Sequence, residues 1–487
     1  MNMDKPLRRV AIFALVLIVA LMAQVNYIQG TQAEKLQSAD LNNRQYLDVF
    51  KRPRGKIIAG SETLVFSKQP PDSENYGRHY KDGPVFAPVT GFYNGNTNGL
   101  ERAYHSLLDG RDKRITNQRW FDQFIGKKAV GADVETTIDP KAQRAAYQAL
   151  KNGTNRRAGA AVIDLRTGAI KVLASYPSFD PNEVAPQRGI KGGQRLQQLE
   201  NQKGVIKPLV DNALSQTFPP GSSYKTVVAA LMMQNEGLNG DSVVQTGPFN
   251  LPESGRPLPN SHDTGNCSGQ APLLGAFAES CNTTFARAAV EMGIQKLHDG
   301  SAEFGFGKPI EVEPDLEAPA SDVPVKDPVT GNPTGGDDVG RSGIGQANVR
   351  ATPLQMAMVA AAVANNGRIM KPYLVQRVRA ADQEVLYEAD PREFARPLEE
   401  DTADQLKAMM AAVVSQGTAK NLQGMNIAGK TGTAETGDPA HNSRWFVGYS
   451  PIEKPRYAFA IVTEGPGSAA SSAGPISGTI MQAVLSR

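Results

Sequence analysis

The sequence predicts an α+β protein in which helices separate the first and last strands of one sheet. Two short apolar runs, Ala160 to Asp164 and Ile170 to Ala174, flank Arg166-Thr167-Gly168 and read as a β-hairpin. Helical stretches follow at Tyr224 to Asn235, Leu274 to Met292 and Pro353 to Asn365, and strand-like runs return at Trp445 to Tyr449 and Tyr457 to Val462. Runs of strands set apart by runs of helices are the α+β pattern.

A chain of 487 residues has room for about three domains of ordinary size, so a single small binding module is ruled out. Hydrophobic residues at 40% and charged residues at 21% give a globular balance, excluding a disordered or fibrous protein. A formal charge of +3 is too small for a nucleic-acid footprint, and no nucleic-acid partner is expected. Two cysteines exclude both a disulfide scaffold and a four-thiolate zinc site.

Taken from the N-terminus, Lys5, Arg8 and Arg9 precede Val10 to Ile28, a stretch with no charged residue. As a helix it is long enough to cross a hydrocarbon core of ~30 Å. It reads as a membrane anchor in preference to a cleaved signal peptide, since no strong A-x-A site follows. The positive-inside rule then places residues 1–9 in the cytoplasm and exports the rest, a single-pass topology at the cell membrane. In an oxidising space Cys267 and Cys281 can close a disulfide across a short loop. Residues 29–140 form a polar, turn-rich accessory segment, with stretches such as Gly91-Phe92-Tyr93-Asn94-Gly95-Asn96, and residues 141–487 the main domain. Within the latter, Lys308 to Arg341 is Pro-rich and acidic and reads as a surface loop or lid. Gly465 to Gly474 is a Gly/Ala/Ser loop before a short C-terminal helix.

The sharpest local signal is Pro219-Pro220-Gly221-Ser222-Ser223-Tyr224-Lys225, followed by the apolar run Thr226 to Met233. The prolines and glycine end an extended segment, so Ser222 falls at a helix start with Lys225 one turn on. A serine hydroxyl is a poor nucleophile until a base takes its proton, and a desolvated lysine can be that base. Exposed N–H groups at the helix start offer a donor to an oxyanion. Further along, Ser280-Cys281-Asn282 supplies a hydroxyl that can relay a proton and an amide that can hold a peptide carbonyl. Lys430-Thr431-Gly432-Thr433 then supplies a cation and two hydroxyls for a carboxylate, and Gly432 permits close approach of a ligand backbone.

Several matches are decoys. Gly424 to Thr431 satisfies the P-loop pattern in full, but Gly432, Gly437 and Pro439 follow where a helix must open. Ser73-Glu74-Asn75 also fits S-x-N but precedes the nucleophile, and Gly343-Ile344-Gly345 lacks the third glycine of a dinucleotide fingerprint and reads as a turn. The five histidines show no H-E-x-x-H spacing, so no metal is expected. Trp445 and Phe446 read as core residues in preference to cleft wall.

The ordered S-x-x-K, S-x-N and K-T-G motifs resemble the signature of penicillin-recognising serine enzymes. Arg54-Gly55-Lys56-Ile57 and Gly99-Leu100-Glu101 are similar to N-terminal motifs of class B penicillin-binding proteins. Ala174 to Asn182, Thr352-Pro353-Leu354-Gln355 and Trp445-Phe446-Val447-Gly448-Tyr449 resemble stretches of their transpeptidase domain. The resemblance covers nearly all the chain after the anchor and implies helices around an antiparallel sheet, with an accessory pedestal. It implies acylation of Ser222 by the penultimate D-Ala of a peptidoglycan stem peptide or by a β-lactam, and Lys225 as base. Ser280 and Lys430 would relay the proton, Asn282 would contact the substrate backbone, and Thr431 and Thr433 would hold the terminal carboxylate. The backbone N–H groups of Ser222 and Thr433 would form the oxyanion hole. It implies no cofactor, and as partners the cytoplasmic membrane, a glycosyltransferase and a divisome or elongasome assembly.

Other readings keep the fold. A β-lactamase needs a carboxylate to activate the deacylating water, and Glu313-Pro314-Asp315-Leu316-Glu317 only approaches the usual E-x-x-L-N. A D,D-carboxypeptidase would release the acyl group to water, and a non-catalytic scaffold or β-lactam sensor would have lost one of the three motifs. About a hundred residues between anchor and main domain leave no room for a glycosyltransferase core.

Overall fold

The computed structural model describes residues 4–28, 50–116 and 130–486. Residues 1–3 of the expected tail, and 29–49 and 117–129 of the expected accessory segment, lie outside the described residues. The chain divides into two units: Met1–Arg52 with Gln69–Tyr76, and Pro53–Lys68 with Gly77–Arg487. The first unit holds the helix Asp4–Tyr27, within which Arg8–Tyr27 has a mean hydropathy of 2.3 and is long and apolar enough to cross a membrane. The Ser73-Glu74-Asn75 match lies in the same unit as a surface turn, with Asn75 N–H donating to Ser73 Oγ at 3.0 Å.

In the second unit the strands are Ala158–Asp164, Ile170–Tyr176, Ala428–Ala434, Ser443–Ser450 and Tyr457–Glu464. They form one antiparallel five-stranded sheet, with 428–434 at one edge, then 443–450, 457–464, 158–164 and 170–176. The 443–450 and 457–464 strands are buried along their whole length, which explains why they read as continuous apolar runs instead of alternating ones. Trp445 and Phe446 are core residues, both 0% exposed. Helix Pro353–Ala364, buried on every side, packs on this sheet; Thr352 Oγ1 caps it by accepting from Gln355 N–H, and Pro353 fills the first position. Pro140–Gly153 and the C-terminal Ala473–Leu485 pack on each other and on the sheet.

A second sheet of six strands runs Val385–Glu388, Val375–Arg379, Asp133–Thr136, Ile57–Ala59, Glu62–Lys68, Gly77–Tyr80. Two of its strands therefore come from beyond residue 140, and 375–379 pairs antiparallel with 133–136. Beside it, Arg54 and Arg78 both grip the fully buried Glu101, at 2.7 Å and 2.6 Å. Burial works against the Glu101 charge, yet Arg78 and Arg54 outweigh it and hold the carboxyl below its usual range. The R-G-K-I and G-L-E stretches thus meet in one ionic knot, which Arg78 completes.

Two expectations need correction. The helix read over Leu274 to Met292 is two helices, Leu273–Ala278 and Asn282–Met292. Ser280 between them has φ 62°, a left-handed conformation that no helix interior accepts. Lys308 to Arg341 is not simply a loop: it contains the hairpin Ile310–Glu313/Leu316–Ala318 and part of the helix Gly336–Ser342.

Candidate active site

Ser222 lies in a 3₁₀ turn, Gly221–Tyr224, that runs directly into the helix Lys225–Glu236. In a 3₁₀ turn residues three apart eclipse, so Ser222 and Lys225 share a face. Residues 225–233 of that helix are all buried, and Ser222 is half-buried. The turn is held from several sides. Trp445 Nε1–H donates to Pro219 O at 2.9 Å, Ser223 Oγ–H to Pro220 O at 2.7 Å, and Gly221 N–H to Gly345 O at 2.9 Å. A Cβ on Gly345 would stand 2.2 Å from Gly221 O, which gives the Gly343-Ile344-Gly345 turn a packing role that its sequence did not reveal.

The turn rests on the edge strand. A Cβ on Gly432 would come 2.5 Å from Pro220 O, and one on Gly221 2.5 Å from Thr433 O. Gly432 therefore serves the approach of the protein's own backbone, where the sequence had suggested a ligand's. Lys430, Thr431 and Thr433 lie on strand Ala428–Ala434, so the P-loop match is a strand and not a phosphate loop opening a helix.

Lys225 Nζ is 2.8 Å from Ser280 O, 3.1 Å from Ser280 Oγ and 2.8 Å from Asn282 Oδ1. Burial drives its pKa well below the usual lysine range, and the Lys430 charge pushes the same way. Ser280 O and Asn282 Oδ1 can only accept, so Lys225 donates to both, and of its three partners the Ser280 hydroxyl is the one able to exchange a proton with the amine. Asn282 Nδ2 donates to Pro259 O at 2.9 Å, leaving its second N–H for a ligand carbonyl. Lys430 is also fully buried, its pKa pushed down to about 7 by burial; its Nζ donates to Thr431 O at 3.3 Å.

Cys267 and Cys281 form a disulfide that ties the residue between Ser280 and Asn282 to the preceding loop. His262 and Glu279 ligand atoms lie within 4.8 Å of the Cys267 sulfur, but that sulfur, being in the disulfide, offers no thiolate. Glu313 is 4% exposed; one oxygen accepts from Tyr104 OH at 2.5 Å and the other from Leu374 and Val375 N–H, both at 2.7 Å. With both oxygens committed to structural bonds, it is a buried anchor and a poor match for a deacylating base. Sequence reasoning missed Thr418, whose hydroxyl is 2.6 Å from that of Thr431; a Gly-Thr pair after a helix end looks like an ordinary cap.

A serine beside a buried lysine, faced by a second serine and an asparagine and flanked by a K-T-G edge strand, defines the penicillin-recognising serine enzymes. The family description "Penicillin binding protein transpeptidase domain" matches residues 158–485, and "Penicillin binding protein A dimerisation domain" matches 54–134. The chain belongs to this transpeptidase family and is a class B penicillin-binding protein, a serine-type D,D-transpeptidase. It is 34% identical to the peptidoglycan D,D-transpeptidase PbpA of Mycolicibacterium smegmatis over 97% of this chain and 96% of that one. The Mycobacterium tuberculosis PbpA is 32% identical over 99% of each chain. The solved penicillin-binding protein A of M. tuberculosis, an imipenem acyl-enzyme complex, superposes with a TM-score of 0.82 at 31% identity, covering 90% of this chain and 100% of that one.

Proposed function

We infer that the chain cross-links peptidoglycan stem peptides through an acyl-enzyme on Ser222. One observation carries this reading: three motifs far apart in sequence meet, with Lys225 donating to Ser280 and Asn282 while the Ser222 turn rests on Gly432. Ser222 Oγ attacks the penultimate D-Ala carbonyl as its proton passes to neutral Lys225. The N–H groups of Ser222 and Thr433 receive the oxyanion. Ser280 and Lys430 return the proton to the leaving D-Ala amine, and an acceptor amine then attacks the acyl carbonyl, its proton passing by the same groups to Ser222 Oγ as the ester bond breaks. Asn282 holds the substrate backbone, and the Thr431 and Thr433 hydroxyls hold the terminal carboxylate. A β-lactam follows the first step, but its leaving nitrogen stays tethered, so the adduct persists.

In the same reading residues 1–9 are a cytoplasmic tail, 10–28 the anchor, 29–140 the pedestal and 141–487 the transpeptidase domain, acting outside the membrane. The disulfide, which persists in oxidising compartments, supports export. A separate glycosyltransferase, within a divisome or elongasome, supplies the glycan strands.

The test is incubation of the detergent-solubilised full chain with a D-Ala-D-Ala stem peptide and a D-amino-acid acceptor. Exchange product supports transpeptidation; release of D-Ala to water alone overturns it in favour of a carboxypeptidase. Peptide mapping after penicillin treatment should place the adduct on Ser222, and Ser222→Ala should abolish it.

A further inference from the structure

Thr418 follows the helix Glu400–Ser415, in the stretch Gln416-Gly417-Thr418 that carried no chemical signal in the sequence. Its position is over-determined. Thr418 N–H donates to Ala278 O at 3.1 Å, Ala419 N–H to Val413 O at 3.0 Å, and a Cβ on Gly417 would sit 2.2 Å from Ala278 O. Ala278 ends the helix just before Ser280, so this loop is pinned to the S-x-N wall through its backbone. Its side chain reaches the opposite wall, where Thr418 Oγ1 lies 2.6 Å from Thr431 Oγ1.

A hydroxyl pair at that distance shares one hydrogen between the two oxygens and has one to spare. If Thr431 donates to Thr418, it keeps no hydrogen for a ligand. If Thr418 donates, the Thr431 hydrogen is free, and its bond to an anion is strengthened by the bond it accepts. We propose that Thr418 is a positioning residue: it donates to Thr431 and turns the Thr431 hydroxyl into a dedicated donor for the ligand carboxylate. The inference rests on the carboxylate-binding role of Thr431 in the reading above. It adds a specificity determinant outside the three motifs, one that touches no reacting atom and acts only when the ligand is anionic.

The test compares acylation of the full chain by a penicillin bearing its free carboxylate and by the methyl ester of the same penicillin. Each rate is followed by mass spectrometry of the Ser222 adduct. In Thr418→Val, which keeps the shape and removes the donor, the Thr431 hydroxyl loses the bond that orients and strengthens it, and the ratio of free-acid to ester rates should fall about threefold. Thr418→Ser should restore the ratio. If both rates fall together, or neither falls, Thr418 is merely structural and the proposal is overturned. Should Thr418→Val not fold, Thr418→Ala replaces it with the same expected ratio. A wild-type chain that the free acid does not acylate at Ser222 overturns the transpeptidase reading itself, an outcome distinct from an unchanged ratio.

Discussion

Ser280, held at φ 62°, offers Lys225 Nζ both its carbonyl at 2.8 Å and its hydroxyl at 3.1 Å. A non-glycine residue in that conformation costs on the order of 1 kcal/mol, and among the three hydrogen-bond partners of the amine the hydroxyl it presents is the one able to pass a proton to or from it. Ser280→Ala and Ser280→Gly should both slow β-lactam acylation by about 100-fold or more, since both lose the relay. Ser280→Gly should be the more stable of the two, because it alone relieves the backbone. Acylation kinetics and denaturant midpoints check this; a glycine variant that acylates at the wild-type rate would show that the backbone, not the hydroxyl, matters.

Burial sets the Lys430 pKa at about 7 against an ordinary 10.5, which makes stability depend on pH. Between those values the unfolded chain holds a proton on this lysine that the folded chain has lost. Folding stability contributed by Lys430 therefore rises with pH from about 7 to 10.5, by up to about 1.4 kcal/mol per pH unit, and below pH 7 its burial penalty is present in full. Lys430→Met should be more stable than wild type at pH 6 and should flatten the rise. Urea midpoints across the pH series decide it: equal slopes for the two proteins would contradict the assignment.

Gly432 has no spare room. An added Cβ would meet Pro220 O at 2.5 Å and Ser223 N at 2.8 Å, both backbone atoms of the nucleophile turn. Gly432→Ala should cost about 1 to 3 kcal/mol and move Ser222 out of line, lowering acylation more than it lowers binding of a non-reactive stem peptide. A variant with normal acylation and thermal midpoint would mean the turn gives way freely.

The Cys267–Cys281 bridge closes a short loop, with a sequence separation of 14. Its removal in the double variant Cys267→Ser/Cys281→Ser should lower stability by about 3 kcal/mol. Acylation should slow as well, because Cys267 O accepts from Asn260 Nδ2 at 3.0 Å, and the segment before the bridge in turn holds the S-x-N motif: Asn260 Oδ1 accepts from Thr283 N–H at 3.1 Å and Pro259 O accepts from Asn282. Wild type and variant compared with and without reductant give the answer; reductant should affect wild type alone.

The sequence by itself marked the candidate residues for the chemistry and their order, because S-x-x-K, S-x-N and K-T-G are local patterns of nucleophile, base and hydrogen-bonding side chains. It also determined the hairpin at 158–176 and the two late strands, since fully buried strands must be apolar along their length. Only the tertiary structure decided how these pieces meet. The break at Ser280 goes with a left-handed residue, where local helix propensity alone favoured one continuous helix. The addition of strands 375–379 and 385–388 to the six-stranded sheet depends on pairing between residues far apart in the chain, which no short window reveals. Thr418 was equally invisible, because a hydroxyl acquires its role only from the oxygen packed against it, and Thr431 lies across a helix end and an edge strand.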